Sequence, residues 1–229
     1  MESKNKMGLT AAIVVGGLVV GGLGGYAIGN MHSDSSSSNS SMSKTATSST
    51  KAADLRADLV TLGVSHMIYT DKAVDQALSA SKGADASGKA LYDNGTTIGA
   101  AVGSVYGKDA ETTFNTVWKI HLDDFVKYAV AGSKGDEAGK SAALADIDAS
   151  YTKPLAQYLA KANPNLPEAT LESALRDHVS MTAKMIDYRV AGDYANEAMQ
   201  LDMANKHIEG LFSTLANGIV QQYPDKFQG

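Results

Sequence analysis

The chain of 229 residues contains no cysteine. This absence excludes disulfide bonds, thiolate metal sites, cysteine nucleophiles and an anchor attached through a lipidated cysteine. Aromatic residues make up only 7% of the sequence, whereas alanine, glycine and methionine are plentiful. Small residues and methionine suit helices that approach one another closely, so the composition favours a closely packed helical protein.

Positive charge is also scarce. The chain carries 20 lysines and arginines against 25 acidic residues, for a formal net charge of −5, and its pI is about 5.5. Such a balance leaves no basic surface that could neutralise a phosphate backbone. Nucleic acid is therefore not expected as a partner.

Catalytic signatures are missing as well. Asp123 and Asp124 form a carboxylate pair, but neighbours on a helix point about 100° apart and would not share a proton. The glycines of residues 97–107 lack the strand, lysine and spacing of a phosphate-binding loop. No nucleophile elbow surrounds a serine, and the E-x-x-H pairs of ferritin-like di-iron sites are absent. We predict no catalytic residues, and an enzyme is the least supported class.

The N-terminus contains a long uncharged segment, residues 8–29. About 20 apolar residues suffice to cross a bilayer, so this segment is predicted to be a transmembrane helix. The lysines lie before it, in residues 1–7, which places the N-terminus in the cytoplasm and the rest of the chain outside. The apolar run is too long for a secretory signal and lacks a good cleavage site, which indicates an uncleaved single-pass anchor.

Four glycines recur at every fourth position of this segment: Gly17, Gly21, Gly25 and Gly29. They form one small-residue ridge, the geometry that lets two membrane helices pack closely, and they predict a homodimer through the anchor. The alternative is that glycine is simply common in membrane helices. The Ser-rich residues 30–52 that follow are predicted to be a flexible, disordered linker.

Residues 53–229 are expected to form the extracytoplasmic domain. Apolar spacing and helix breakers predict six helices at 54–81, 86–106, 109–131, 136–162, 167–190 and 193–223. A weak internal repeat divides them into three αα-hairpins, each with a histidine early in the pair. The predicted fold is all-α: a six-helix bundle of three αα-hairpins preceded by one transmembrane helix.

Four histidines of this domain lie on apolar stripes with steps of three or four residues: His66, His121, His178 and His207. Each should therefore face the bundle interior. Imidazoles that converge from several helices can build a metal site, here for a transition metal such as copper or zinc. Asp124, one turn after His121, is a candidate further ligand or hydrogen-bond acceptor for a ligand.

The methionines near these histidines are compatible with two different functions. Met203 and His207 lie one turn apart on one face, a thioether and imidazole pair that suits copper. The leading hypothesis is a membrane-tethered extracytoplasmic helical binding protein that takes a transition metal. The alternative is a non-catalytic structural or interaction module, whose histidines satisfy core hydrogen bonds and whose methionines fill gaps.

Several short motifs resemble a known family. They are L-R-A-D-L (55–59), V-G-S-V-Y-G (102–107), W-K-I-H (118–121), A-N-P-N-L-P (162–167), A-G-D (191–193) and Y-P-D-K-F (223–227). They resemble a helical domain of exported Gram-positive bacterial proteins, some of them labelled copper amine oxidase-like. The resemblance implies an exported helical domain of unsettled role. It does not imply an amine oxidase, because that label belongs to a separate β-rich module that this sequence does not contain. If the family's histidines are its functional positions, the matching ones are His66, His121 and His178.

Overall fold

The computed structural model describes residues 50–228, which contain helices and no strand. The α-helices are α1 (Lys51–Leu78), α2 (Ala84–Tyr106), α3 (Lys108–Ser133), α4 (Glu137–Ile147), α5 (Lys153–Ala162), α6 (Glu168–Ala191) and α7 (Tyr194–Gln222). A π-helical segment, Asp148–Thr152, joins α4 to α5, and a 3₁₀ turn, Pro224–Lys226, follows α7. Helical backbone angles continue through both ends of the π segment. Helices α4 and α5 are therefore parts of one continuous rod, and the seven helices form six rods in all. The predicted all-α fold with six helices is confirmed.

The helix ends follow the capping residues of the sequence. Thr50, Asp136 and Asp193 precede α1, α4 and α7, and each side chain accepts a backbone N–H from the first turn. Such caps satisfy donors that the helix itself leaves unpaired. Gly192 ends α6 in the left-handed conformation, at φ 71°, which glycine adopts without a steric penalty. These caps set the length and entry angle of the rods.

The π segment is the main departure from the prediction of one continuous helix over 136–162. Its Lys153 N–H donates to the Asp148 carbonyl, five residues back. The next residue is Pro154, which has no N–H to donate and whose ring would clash with the carbonyl four residues earlier. A wider turn before the proline relieves that clash, and such turns are frequent at functional sites. It places Tyr151 in the core, 1% exposed.

The rods pack in chain order around a single apolar core, and α7 closes the bundle by packing on α1. The first helices of the three hairpins, α1, α3 and α6, also contact one another. Residues that face inward from these three helices therefore meet near the centre of the bundle.

No helix within residues 50–228 is long and apolar enough to cross a membrane. The predicted segments 1–7 and 8–29, with the glycine ridge, lie outside the described residues, as does most of the predicted linker 30–52. Helix α1 begins at Lys51, so the end of that predicted linker is helical.

Candidate metal centre

One histidine from each of the three central helices reaches the middle of the bundle. His66 comes from α1, His121 from α3 and His178 from α6, and each is at most 2% exposed. One ring nitrogen from each lies within 4.8 Å of the others. The ring centroids are 5.7 Å apart for His66 and His121, 5.9 Å for His66 and His178, and 6.4 Å for His121 and His178. We call these three residues the histidine cluster.

Helical periodicity explains why these side chains face inward. His121 shares its stripe with the buried Phe114, Trp118 and Phe125, at steps of three and four residues. In α1 and α6 the carbonyl of the histidine also accepts the hydroxyl of a buried threonine four residues later, at 2.8 Å for His66 and 2.9 Å for His178. Both helices thus present their histidine in the same local arrangement.

Two aromatic side chains enclose the histidine cluster. Trp118, the only tryptophan of the chain, has its ring centroid 4.9 Å from that of His66 and 4.7 Å from that of His121. Tyr151 of the π segment stacks on His121, with centroids 4.1 Å apart and ring planes 21° apart. These flat apolar surfaces hold the imidazoles in place and keep bulk water away from them.

The histidine cluster has an unusual shortage of hydrogen bonds. Both ring nitrogens of His121, both of His178 and Nδ1 of His66 are buried without a partner. Buried polar atoms in folded proteins are nearly always hydrogen-bonded, and each exception needs an explanation. Leaving one unpaired costs about 1–3 kcal/mol. Each of the three rings therefore has at least one unpaired nitrogen, and one nitrogen per ring can coordinate a ligand.

The same burial keeps the three imidazoles neutral. Desolvation lowers the pKa of His66 to about 4, against a smaller raising effect of the Asn94 side chain. It lowers the pKa of His178 to about 3, aided by the charges of His66 and His207. The pKa of His121 falls well below its ordinary value through desolvation and its two histidine neighbours. Neutral imidazole is the form that coordinates metals.

Asn94 of α2 is placed to orient His66. Its amide nitrogen donates to the Leu62 carbonyl at 3.1 Å, which fixes the side chain, while its Oδ1 is buried without a donor. Metal-bound histidines usually donate their second ring N–H to such an oxygen, which sets the tautomer and the ring orientation. Asn94 can therefore hold His66 with its other nitrogen aimed at a ligand.

The other predicted site residues are not part of the group of ligand atoms that meet within 4.8 Å. His207 donates from Nε2 to the Ala174 carbonyl at 2.8 Å. Asp124 is buried, but its carboxylate accepts from Lys127 at 2.6 Å and from Ser150 at 3.4 Å. Met203, the proposed soft partner of His207, is 53% exposed. The structure thus brings together three of the five predicted ligands.

Comparison of the chain with protein-family models, with curated proteins and with solved structures gives no match. The geometry of the histidine cluster is therefore the observation that bears on function.

The sequence analysis missed Asn94 and the role of Tyr151. Asn94 could have been found, because it interrupts an apolar stripe of α2 formed by Leu91, Gly95 and Ile98. A lone amide on such a stripe needs a hydrogen-bond partner in the core. The contact of Tyr151 with His121 could not be found, because it depends on the wide turn of the π segment.

Proposed function

We propose that this protein binds a transition-metal ion through His66, His121 and His178. The observation that carries the proposal is the meeting of three buried imidazoles with five unpaired ring nitrogens. A protein that used these side chains only for packing would gain stability by replacing them with apolar residues, because unpaired polar atoms in a core are costly. A bound ion would give one nitrogen of each ring the partner that it lacks.

His207 illustrates the structural alternative within the same chain. It is half-buried on the stripe of α7 and donates its ring N–H to a backbone carbonyl. That arrangement is the usual way in which a helical bundle accommodates a histidine. The histidine cluster differs: its members are fully buried, and one ring nitrogen of each lies within 4.8 Å of those of the other two.

The dimensions of the histidine cluster are close to those that a metal requires. Three nitrogens at about 2.0 Å from one ion lie about 3.5 Å from one another. The observed separations, within 4.8 Å, exceed this by at most about 1.3 Å, which small side-chain rotations can supply. Imidazole is a ligand for copper, zinc, iron and nickel, and we propose copper or zinc as the ion.

We further propose that the domain works outside the cell membrane, held there by residues 8–29. Support comes from the length of that segment, the lysines that precede it and the Ser-rich residues that follow it. The resemblance of the domain to exported proteins points the same way.

Through its glycine ridge the anchor pairs two chains. Replacing Gly21 and Gly25 with leucine should abolish dimers in membranes, and an unchanged oligomer would count against pairing through this ridge.

Thermal unfolding of the full-length chain tests the metal site. In wild type, Cu(II), Cu(I) or Zn(II) should raise the melting temperature by an amount that grows with the concentration of the free ion, and a chelator should reverse the rise. The variant His178→Leu should lose this response while its metal-free form stays as stable as wild type, or becomes more stable. If no ion is retained and no melting temperature moves, the proposal fails.

The matched control is His207→Leu. This variant leaves the Ala174 carbonyl without its side-chain donor, so it should lose about 1 kcal/mol of stability, yet keep the full metal response. Trp118 provides a second readout, because it is the only tryptophan and contacts two members of the histidine cluster. Copper binding should quench its fluorescence in wild type and in His207→Leu but not in His178→Leu.

A further inference from the structure

The charge of the donor set restricts which ion the site can hold. Within residues 50–228, the group of potential ligands around the site consists of three histidines and includes no carboxylate. The nearest acidic candidate by sequence, Asp124, is paired with Lys127 and Ser150. Three neutral nitrogens leave the full charge of the ion uncompensated.

The surroundings make that charge expensive to bury. All three rings are nearly inaccessible to water, and the aromatic rings of Trp118, Phe125 and Tyr151 lie against His121. The cost of moving an ion from water to such a medium is large and grows with the square of its charge. A divalent ion would therefore incur about four times the desolvation cost of a monovalent one.

The coordination number points in the same direction. Zinc sites with three protein ligands keep a fourth position for water or substrate. A cavity of about 50 Å³ borders Trp118 and Tyr151, but its lining side chains are aliphatic and aromatic. A buried water is stable only with two to four polar partners, and this cavity offers none of the oxygens that would hold one. Three donors without a fourth suit an ion that accepts trigonal coordination.

From the neutral donor set, the dry aromatic surroundings and the three-ligand geometry, we propose that the histidine cluster selects a monovalent d¹⁰ ion. Cu(I) is the biological ion of that class, and Ag(I) is its redox-inert counterpart. This inference rests on the proposed metal-binding function and narrows it: the site would hold copper in its reduced state and discriminate against Zn(II) and Cu(II).

The test compares four ions on the full-length chain in detergent, in chloride-free buffer. Cu(I) is supplied as its acetonitrile complex without oxygen and competed with bicinchoninate; Ag(I), Zn(II) and Cu(II) are supplied as nitrates. We expect one Cu(I) or Ag(I) per chain, a rise in melting temperature with both, and a Kd below that for Zn(II) by roughly two orders of magnitude or more. His121→Leu should lose this binding.

Within residues 50–228, two exposed methionines form a competing site for soft ions. Met199 and Met203 are 59% and 53% exposed on α7, one turn apart. The control variant Met199→Leu/Met203→Leu should keep the tight Cu(I) or Ag(I) ion. Loss of the ion in this variant, with retention in His121→Leu, would overturn the inference by assigning the ion to the methionines.

Two further outcomes separate this inference from the proposed function. If Zn(II) or Cu(II) stabilises wild type as much as Ag(I) does, and His121→Leu abolishes the effect, the monovalent selection is wrong while the metal site stands. A divalent ion would need a bound hydroxide to offset its charge. The Nε1–H group of Trp118, which is buried without a hydrogen-bond partner, would then be the group to test as a hydrogen-bond donor to that hydroxide. If none of the four ions binds, both the inference and the proposed function fail.

Discussion

The ring of Tyr151 stacks on the imidazole of His121, with centroids 4.1 Å apart and planes 21° apart. This contact depends on the π segment, because the extra residue in its wide turn sets the direction of Tyr151 relative to α4 and α5. Deleting Ala149, an exposed residue of that segment, should convert the turn to α-helix without changing the register of the flanking helices. The deletion should rotate Tyr151 away from His121.

We expect the deletion variant to fold with unchanged far-ultraviolet circular dichroism, lower stability and weaker metal binding. The loss of the aromatic contact alone accounts for about 0.5–1.5 kcal/mol, and the renewed clash at Pro154 adds to it. The control is Ala149→Ser, which keeps the chain length and should behave as wild type. Wild-type metal affinity in the deletion variant would show that the stack does not position His121.

Trp118 is held against the histidine cluster by the absence of a side chain at Gly95. A Cβ at this position of α2 would lie 2.6 Å from Cδ1 and 2.7 Å from Nε1 of the indole. Gly95→Ala should therefore displace Trp118 and destabilise the protein by about 1–3 kcal/mol, the usual cost of overpacking. At Gly88, in the same helix, an added Cβ would meet nothing within 4 Å. Gly88→Ala should instead stabilise by about 0.5–1 kcal/mol.

Chemical denaturation of the two alanine variants gives the sign of each change, and the emission maximum of Trp118 reports its displacement. The pair is informative because the backbone contribution of glycine to alanine is the same in both. Equal stability of the two variants, with unchanged emission, would mean that the indole does not depend on Gly95 for its place beside His66 and His121.

Asn94 is expected to tune metal binding from outside the histidine cluster. Asn94→Ala removes the unpaired Oδ1 beside His66, and the loss of such a partner typically lowers metal affinity by about 10- to 100-fold. It also removes the hydrogen bond to the Leu62 carbonyl, worth about 1 kcal/mol of stability. Competition titration and thermal melts separate the two effects.

Asn115 provides the matched control for Asn94. Its Oδ1 is also buried without a partner, but the side chain lies against Gly99 and not against a histidine. Asn115→Ala should leave the metal affinity unchanged. An equal loss of affinity in both variants would assign the effect to general loosening of the α2–α3 interface.

The helical architecture could be predicted from the sequence because its signals are local. Breakers and caps such as Gly107, Asp193 and the segment 163–167 stand where the structure has its turns. The apolar steps of three and four residues around His66, His121 and His178 correctly placed these side chains in the interior. The helices that carry the three aligned histidines, α1, α3 and α6, contact one another in the structure.

The composition of the site required tertiary information. His207 lies on an apolar stripe like the other three histidines, yet its ring N–H donates to a backbone carbonyl of the neighbouring α6. The spacing of apolar residues does not distinguish a histidine that bonds to the backbone from one that joins the histidine cluster. Asp124 is buried, but Lys127 and Ser150 occupy its oxygens. The contribution of Tyr151 depends on how Pro154 is accommodated, which is a matter of backbone strain and not of hydrophobic pattern.

The stability of the metal-free protein should fall on mild acidification. The folded-state pKa values of His66 and His178, about 4 and about 3, lie below the unfolded value of 6.5. The unfolded chain therefore binds protons that the folded chain does not, so stability decreases as the pH falls below 6.5 and continues to decrease until the folded pKa is reached. At pH 5 the loss should be roughly 2 kcal/mol from His66 and a similar amount from His178, relative to pH 7.

Urea denaturation of the metal-free chain at pH 7, 6 and 5 measures this effect in a range where most carboxylates stay ionised. His178→Leu has one titrating histidine fewer, so it should lose about 2 kcal/mol less than wild type between pH 7 and pH 5. Comparing the two proteins cancels the contributions of the groups that do not interact with His178. An identical pH dependence in wild type and variant would show that His178 is not held neutral in the core, which would contradict the buried environment on which its role as a metal ligand depends.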